Sequence, residues 1–128
     1  MVDAFVGKYI VESRDNFDGF MAGVGVPAEY IEKARAAKVE TEVKNDGGLV
    51  TITRVRPLKT TTNSFRLGEE TEMDTIKGDK IKATVQLEGG KLVAKGENYE
   101  VVTEMQGGNL KETITAKGHT MSRVSKRV

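Results

Sequence analysis

Hydrophobic and polar positions alternate along most of this chain, and the alternation is cleanest near its end. From Leu110 to Ala116 and from His119 to Ser125 one side of each arm collects Leu110, Ile114, Ala116 and Met121 while the other is mostly polar, the alternation of a half-buried strand. Lys117 and Gly118 between them suit a two-residue hairpin turn, glycine supplying the positive φ. That turn predicts a register of Ala116 opposite His119, Ile114 opposite Met121, Glu112 opposite Arg123 and Leu110 opposite Ser125. The apolar side should face inward, and Glu112 and Arg123 go with it. A buried acid opposite a buried base is costly unless the two satisfy each other or sit in a polar interior. The chain is therefore expected to enclose a wet, polar-spotted cavity.

Phe5 to Val11 reads as a first strand, with Gly7 marking a bulge or a close backbone approach. Ser13 to Asp15 offers N-cap residues. Phe17, Phe20, Met21 and Val24 then fall on one face of a short helix. Gly23 and Gly25 end it, and Pro27 opens a second helix over Ala28 to Ala37, acidic early and basic late. From Val39 onward the pattern is strand and turn. Hairpin signals lie at residues 45–48, 77–80, 88–90 and 106–109, and Pro57 interrupts one run. Ten strands at regular spacing predict an all-β, ten-stranded antiparallel up-and-down meander. Its edges would be exposed unless it closed. A closed barrel capped by a helix-turn-helix at about 15–37, one domain over 1–128, is the economical solution.

With 20 basic and 19 acidic residues there is no broad basic field, so nucleic acid is not an expected partner. No cysteine is present, which excludes disulfides, zinc-thiolate sites and thiol nucleophiles. No apolar run approaches the ~20 residues of a membrane span, and the first residues are too short and acidic for a secretory signal. A cytoplasmic location is expected. The low hydrophobic fraction, 38%, suits a barrel that encloses solvent more than a packed sandwich.

The chemistry for catalysis is thin. His119 is the one histidine; it is expected on the inward face at the cavity floor, without the partners a zinc site needs. No cofactor or metal is expected, and a catalytic barrel would need more than one histidine and one acid–base pair. Extending the register places Thr103 opposite Glu112, so Thr103, Glu112 and Arg123 would form one row across three strands, with Ser125 nearby. Arg123 offers a fixed fork of donors for a carboxylate or sulfonate. Lys33, Arg35 and Lys38 form a small basic cluster that suits transient docking on an anionic membrane.

Several segments are together distinctive. Gly7, Tyr9 and Val11 precede Asn16, Phe17, Asp18, Phe20 and Met21; the stretches 63–68, 85–93 and 123–127 follow. With these, the whole chain resembles the intracellular lipid-binding family, the fatty-acid-binding proteins, nearest the liver-type and ileal bile-acid-binding branches. The resemblance implies a lipocalin-like clam binding one or two amphipathic lipids, with no enzymatic activity. Where the heart-type branch carries two arginines and a tyrosine, this chain has Thr103, Arg123 and Ser125; the liver-type pattern, which the resemblance favours, builds the deep polar site from Arg123, Ser125 and Thr41. Val101 and Val102 stand where ileal proteins have polar residues. A fatty acid or similar amphipath is the expected ligand, with a bile acid or a retinoid as alternatives, and the protein is expected to be a monomer. Arg123 would meet the ligand head, with Ser125, Thr41 and Thr103 donating and Glu112 competing. Tyr9, Val50, Ile52, Ile76, Val85, Tyr99, Val101, Ile114 and Met121 would line the wall. Phe17, Met21 and Ile31, with the turns near Pro57 and Gly78, would form the portal.

Overall fold

A computed structural model describes residues 2–35, 38–56, 60–74 and 80–128. A 3-10 turn, Val2–Phe5, leads into β1 (Gly7–Asp15), α1 (Phe17–Gly23) and α2 (Ala28–Arg35). Eight further strands precede the last: β2 (Glu40–Asp46), β3 (Leu49–Val55), β4 (Thr60–Phe65), β5 (Glu70–Asp74), β6 (Lys80–Glu88), β7 (Lys91–Gly96), β8 (Tyr99–Gln106) and β9 (Asn109–Ala116). The chain finishes in β10 (His119–Arg127).

All neighbours are antiparallel, in the order β4-β3-β2-β1-β10-β9-β8-β7-β6-β5. The final hairpin has the expected register: Glu112 faces Arg123, and Thr103 faces Glu112 from β8. Lys117 and Gly118 have φ of 50° and 80°, a primed turn whose twist matches the flanking strands. The burial of β9 alternates without a break.

The expected ten-stranded clam is present and nearly closed; among the described residues β4 and β5 share no backbone ladder. Two expectations in the first segment need correction. The first strand begins at Gly7, because Phe5 belongs to the 3-10 turn. The bulge lies at Glu12, where the β1–β10 register slips between Val11 and Ser13. Of the two readings of Gly7, a bulge or a close approach, the second holds, since a Cβ there would lie 3.3 Å from an Arg127 Nη1. Ser13 and Asp15 do not cap α1, because their backbones pair with Val124 and Ser122 of β10. The N-cap is Asn16, in the left-handed region with φ of 58°. Its side chain makes no capping bond to the helix; its Nδ2 donates to the Thr120 carbonyl at 2.7 Å.

The interior is layered. Phe5, Tyr9, Val43, Val50, Phe65, Val85, Leu92 and Leu110 pack as an apolar floor. Phe20, Met21, Val24, Val26 and Ile31 of the helical segment pack with Ile114, Ala116 and Met121 at the other end. Between them runs a polar waist: Thr41, Thr61, Thr103, Glu112, Arg123 and Ser125 are all buried. The layers can be followed along one strand, from Leu110 in the floor through Glu112 to Ile114 and Ala116 under the cap.

Candidate functional site

Glu112 is held at the centre of the waist. Its side chain is 1% exposed, far too buried for a lone carboxylate. Arg123 Nε donates to its Oε1 at 3.0 Å. Arg54 grips it from the opposite wall, Nη1 donating to Oε1 at 3.1 Å and Nη2 to Oε2. Arg54 Nη1 also reaches Thr41 Oγ1 at 3.3 Å, its register partner on β2. Burial alone would raise the Glu112 pKa, but the guanidiniums of Arg123 and Arg54 and their hydrogen bonds bring it down to about 2. The carboxylate is thus ionised at neutral pH.

Arg56 stands beside this network. Its Nη1 donates to Thr61 Oγ1 at 3.0 Å, and among the described residues no carboxylate pairs with it. Burial, then the charges of Arg123 and Arg54, lower its pKa to about 10, still high enough to keep it protonated at neutral pH. Among the described residues, three guanidiniums meet one carboxylate in the waist, and the other acid at the cavity border, Asp74, is paired with Lys80 at 3.2 Å, so the waist carries a net positive charge. Tyr99 faces the same cluster; burial raises its pKa against the lowering influence of Arg54 and Arg123.

These groups border a cavity with ≈ 680 Å³ of atom-free space, counting its mouth. The centre of a water molecule can reach ≈ 70 Å³ of it, room for several ordered waters. Arg54, Arg56, Arg123, Asp74, Thr61, Thr103, Asn63 and Tyr99 give the lining its polar side; Ile52, Phe65, Val85, Leu92, Val101 and Ile114 are among its apolar residues. A smaller space under α2 is bordered by Phe17, Met21, Tyr30, Arg56 and Arg123. The waist therefore connects toward the cap.

The sequence-predicted residues fall into groups. Arg123, Thr103, Ile52, Tyr99 and Val101 border the interior cavity beside Glu112. Thr41 and Ser125 are buried in the waist, Thr41 as an acceptor for Arg54. Met121 and Ile31 lie in the apolar cluster beneath the helices, with Phe17 packed against it. Tyr9 is buried in the floor, its hydroxyl donating to the Phe5 carbonyl at 2.7 Å and accepting from Arg127 Nη2 at 2.9 Å. His119 pairs with Ala116 as expected but is exposed at the rim, not on the cavity floor. It covers Gly23 of α1, where a Cβ would lie 2.5 Å from its ring. Ile76 and the turns near Pro57 and Gly78 lie outside the described residues. Among the described residues no group of three or more histidines, cysteines or acids comes together to hold a metal.

Arg54 and Arg56 escape the sequence analysis. The signal was available: Val50 and Ile52 point inward, and the same alternation along β3 carries Arg54 and Arg56 inward after them.

The comparisons with known proteins agree with this architecture. Residues 3–128 match the model of the lipocalin / cytosolic fatty-acid binding protein family. Gastrotropin of the pig is 44% identical over 126 residues, 98% of each chain. The zebrafish protein named fatty acid binding protein 1-A, liver, is 39% identical over 125 residues, again 98% of each. The zebrafish ileal bile-acid-binding protein, solved with cholic acid, superposes with a TM-score of 0.85 at 38% identity, covering 98% of this chain and 99% of its own. With a family match that spans nearly its whole length and a buried polar waist inside a ten-stranded clam, this chain belongs to the lipocalin / cytosolic fatty-acid-binding protein family.

Proposed function

We propose that the protein is a non-covalent carrier of long-chain fatty acids or similar anionic amphipaths, held in the interior cavity. The carrying observation is the waist itself: a cavity that is apolar on one side is lined on the other by Arg54, Arg56 and Arg123, and Glu112 engages only Arg54 and Arg123. A hydrocarbon chain leaving water gains about 0.8 kcal/mol per buried methylene, so the tail supplies most of the affinity. The anionic head then meets Arg123 and Arg56, with hydroxyls of Thr61 and Thr103 completing its hydrogen bonds. Arg54 stays committed to Glu112, which keeps the head from being trapped by all three guanidiniums. The chemistry is recognition rather than turnover, since the one histidine lies at the rim.

A bile-acid reading has its own support. Thr61, Thr103, Asn63 and Tyr99 place hydroxyl and amide groups around one lining, suited to steroid hydroxyls. Competition among oleate, cholate and retinol, with mass spectrometry of lipids co-purified from the native source, orders the ligands.

The portal is proposed at α2. Of its described residues Ile31 alone is buried, so its opening costs little packing. Lys33, Arg35 and Lys38 sit exposed on that side, available to a passing anionic membrane. Arg35 shares its charge with Asp18 at 3.0 Å, which weakens the attraction. We take the working form to be a monomer. Arg123→Ala, titrated with oleate, should lose about tenfold to a hundredfold in affinity, the worth of a charge-assisted hydrogen bond. Unchanged affinity would remove Arg123 from the anchor role.

A further inference from the structure

The small space between α2 and the polar waist is a chamber of one charge sign. Arg14, Arg56, Arg123 and Tyr30 give it a polar side, and apolar side chains, Phe17 and Met21 among them, close the rest. Among the described residues no Asp or Glu borders it. The centre of a water molecule can reach ≈ 20 Å³ of it, enough for one water-sized species. Arginine keeps its charge in a protein, so like charges crowd one small space out of bulk water, where they repel strongly. Arg123 spends its Nε on Glu112, and among the described residues neither of its Nη groups makes a hydrogen bond. Arg56 spends Nη1 on Thr61, and Glu112 engages Arg54 and Arg123 but not Arg56. Arg14 lies over the Phe17 ring, 5.0 Å from its centroid, and donates to the Arg35 carbonyl at 3.3 Å. The crowding shows in the titration of the group: burial first and then the charge of Arg123 lower the pKa of both Arg14 and Arg56. Buried charge is retained only where something satisfies it.

We propose that this chamber is a site for one small inorganic anion, a halide such as chloride, held between the guanidiniums of Arg56 and Arg123, and that the ligand head displaces it on binding. Size selects the class: the chamber takes a single ion about as large as water and excludes a phosphate. The displacement rests on the carrier reading above, because Arg56 and Arg123 also border the interior cavity and draw the head from that side. The anion site itself rests on the chamber alone. Ligand-free protein thus holds a counter-ion and exchanges it for lipid, so chloride opposes uptake by mass action.

The test uses delipidated protein in sodium gluconate, with chloride substituted at a fixed ionic strength of about 0.15 M. Gluconate is too large for the chamber. Its replacement by chloride should raise the melting temperature of the ligand-free protein by roughly 2–6 °C and weaken oleate binding by roughly three- to tenfold. The chlorine NMR line should broaden in the presence of the protein and sharpen again as oleate is added. Bromide should act as chloride does, and its anomalous scattering in a crystal should place it between Arg56 and Arg123. Arg56→Gln should abolish the broadening, and Arg56→Lys should keep part of it. Lys95→Gln, exposed on β7, should leave it unchanged. The wild-type measurements stand even where an Arg56 variant fails to fold. Equal melting temperatures in the two salts, with no chlorine broadening, would overturn the site, as would broadening that persists in Arg56→Gln. Broadening that oleate leaves in place would overturn the displacement. Wild-type protein that broadens the chlorine line yet binds no oleate in gluconate would refute the carrier reading while the anion site stood, so the two failures are told apart.

Discussion

At the scale of single residues, Glu112 decides how the interior behaves. Among the described residues it is the one acid bonded to the interior guanidiniums, and its two oxygens are committed to Arg54 and Arg123. Glu112→Gln keeps the shape and removes the charge. Removing one partner of a buried pair typically costs about 3–5 kcal/mol, so the ligand-free variant should melt well below the wild type. Its two freed guanidiniums should then receive an anionic head more strongly. Oleate should therefore raise the melting temperature of Glu112→Gln by more than it raises that of the wild type. Equal gains would mean that the ligand head does not reach this cluster. Glu112 and Arg123 were legible in the sequence because a hairpin turn fixes their register and an apolar stripe fixes their side. Arg54 and Arg56 follow the same parity on β3, yet Pro57, close behind, obscures the pattern. Alternation also says nothing of which wall faces which, so the Arg54–Glu112 contact across the barrel needs coordinates.

At the scale of elements, α1 is fixed to the barrel at both ends. Asn16 donates to the Thr120 carbonyl at 2.7 Å, and His119 covers Gly23. Both attachments are to the start of β10, while α2 has one buried described residue. Gly23→Ala would place a Cβ 2.5 Å from the His119 ring, and the imidazole must move aside. A loss of about 1 kcal/mol is expected from such overpacking, read as a lower urea midpoint. In the background of His119→Ala the same glycine substitution should cost almost nothing, since alanine is also the better helix former. Additive losses would mean that the two residues do not touch. The helix pair was readable from its period and its punctuation by Gly and Pro. Its docking was not, because His119 lies in phase with an inward stripe yet emerges at the rim, beyond the end of the wall. The N-cap was misplaced for a related reason: β10 offers Ser13 and Asp15 a backbone ladder, and that outweighs their preference for a cap.

At the scale of the whole molecule, an apolar floor and an apolar cap hold a charged layer between them. The ten-strand meander was legible because each hairpin carries its own turn signal. The missing ladder between β4 and β5 was not, because closure depends on whether the two end strands meet. The layer also links stability to pH. The folded pKa of Glu112, about 2, lies below its ordinary value of 4.5. Its contribution is therefore fully present above pH 4.5 and is lost as pH falls through that value toward 2. Wild-type stability should drop steeply across that window, and Glu112→Gln should show a shallower slope there. Parallel slopes would mean that other carboxylates govern the acid transition.

The interior charge surplus should make binding depend on the charge of the ligand head. The direct measurement is calorimetric titration of the wild type at pH 7.4 with a long-chain fatty acid and with its methyl ester, which share a tail and differ in charge. Burial of the common tail contributes equally to both, so the acid should bind at least tenfold more tightly, and the gap should close in Arg123→Ala. Equal affinities for acid and ester would contradict a buried cationic site that receives the ligand head.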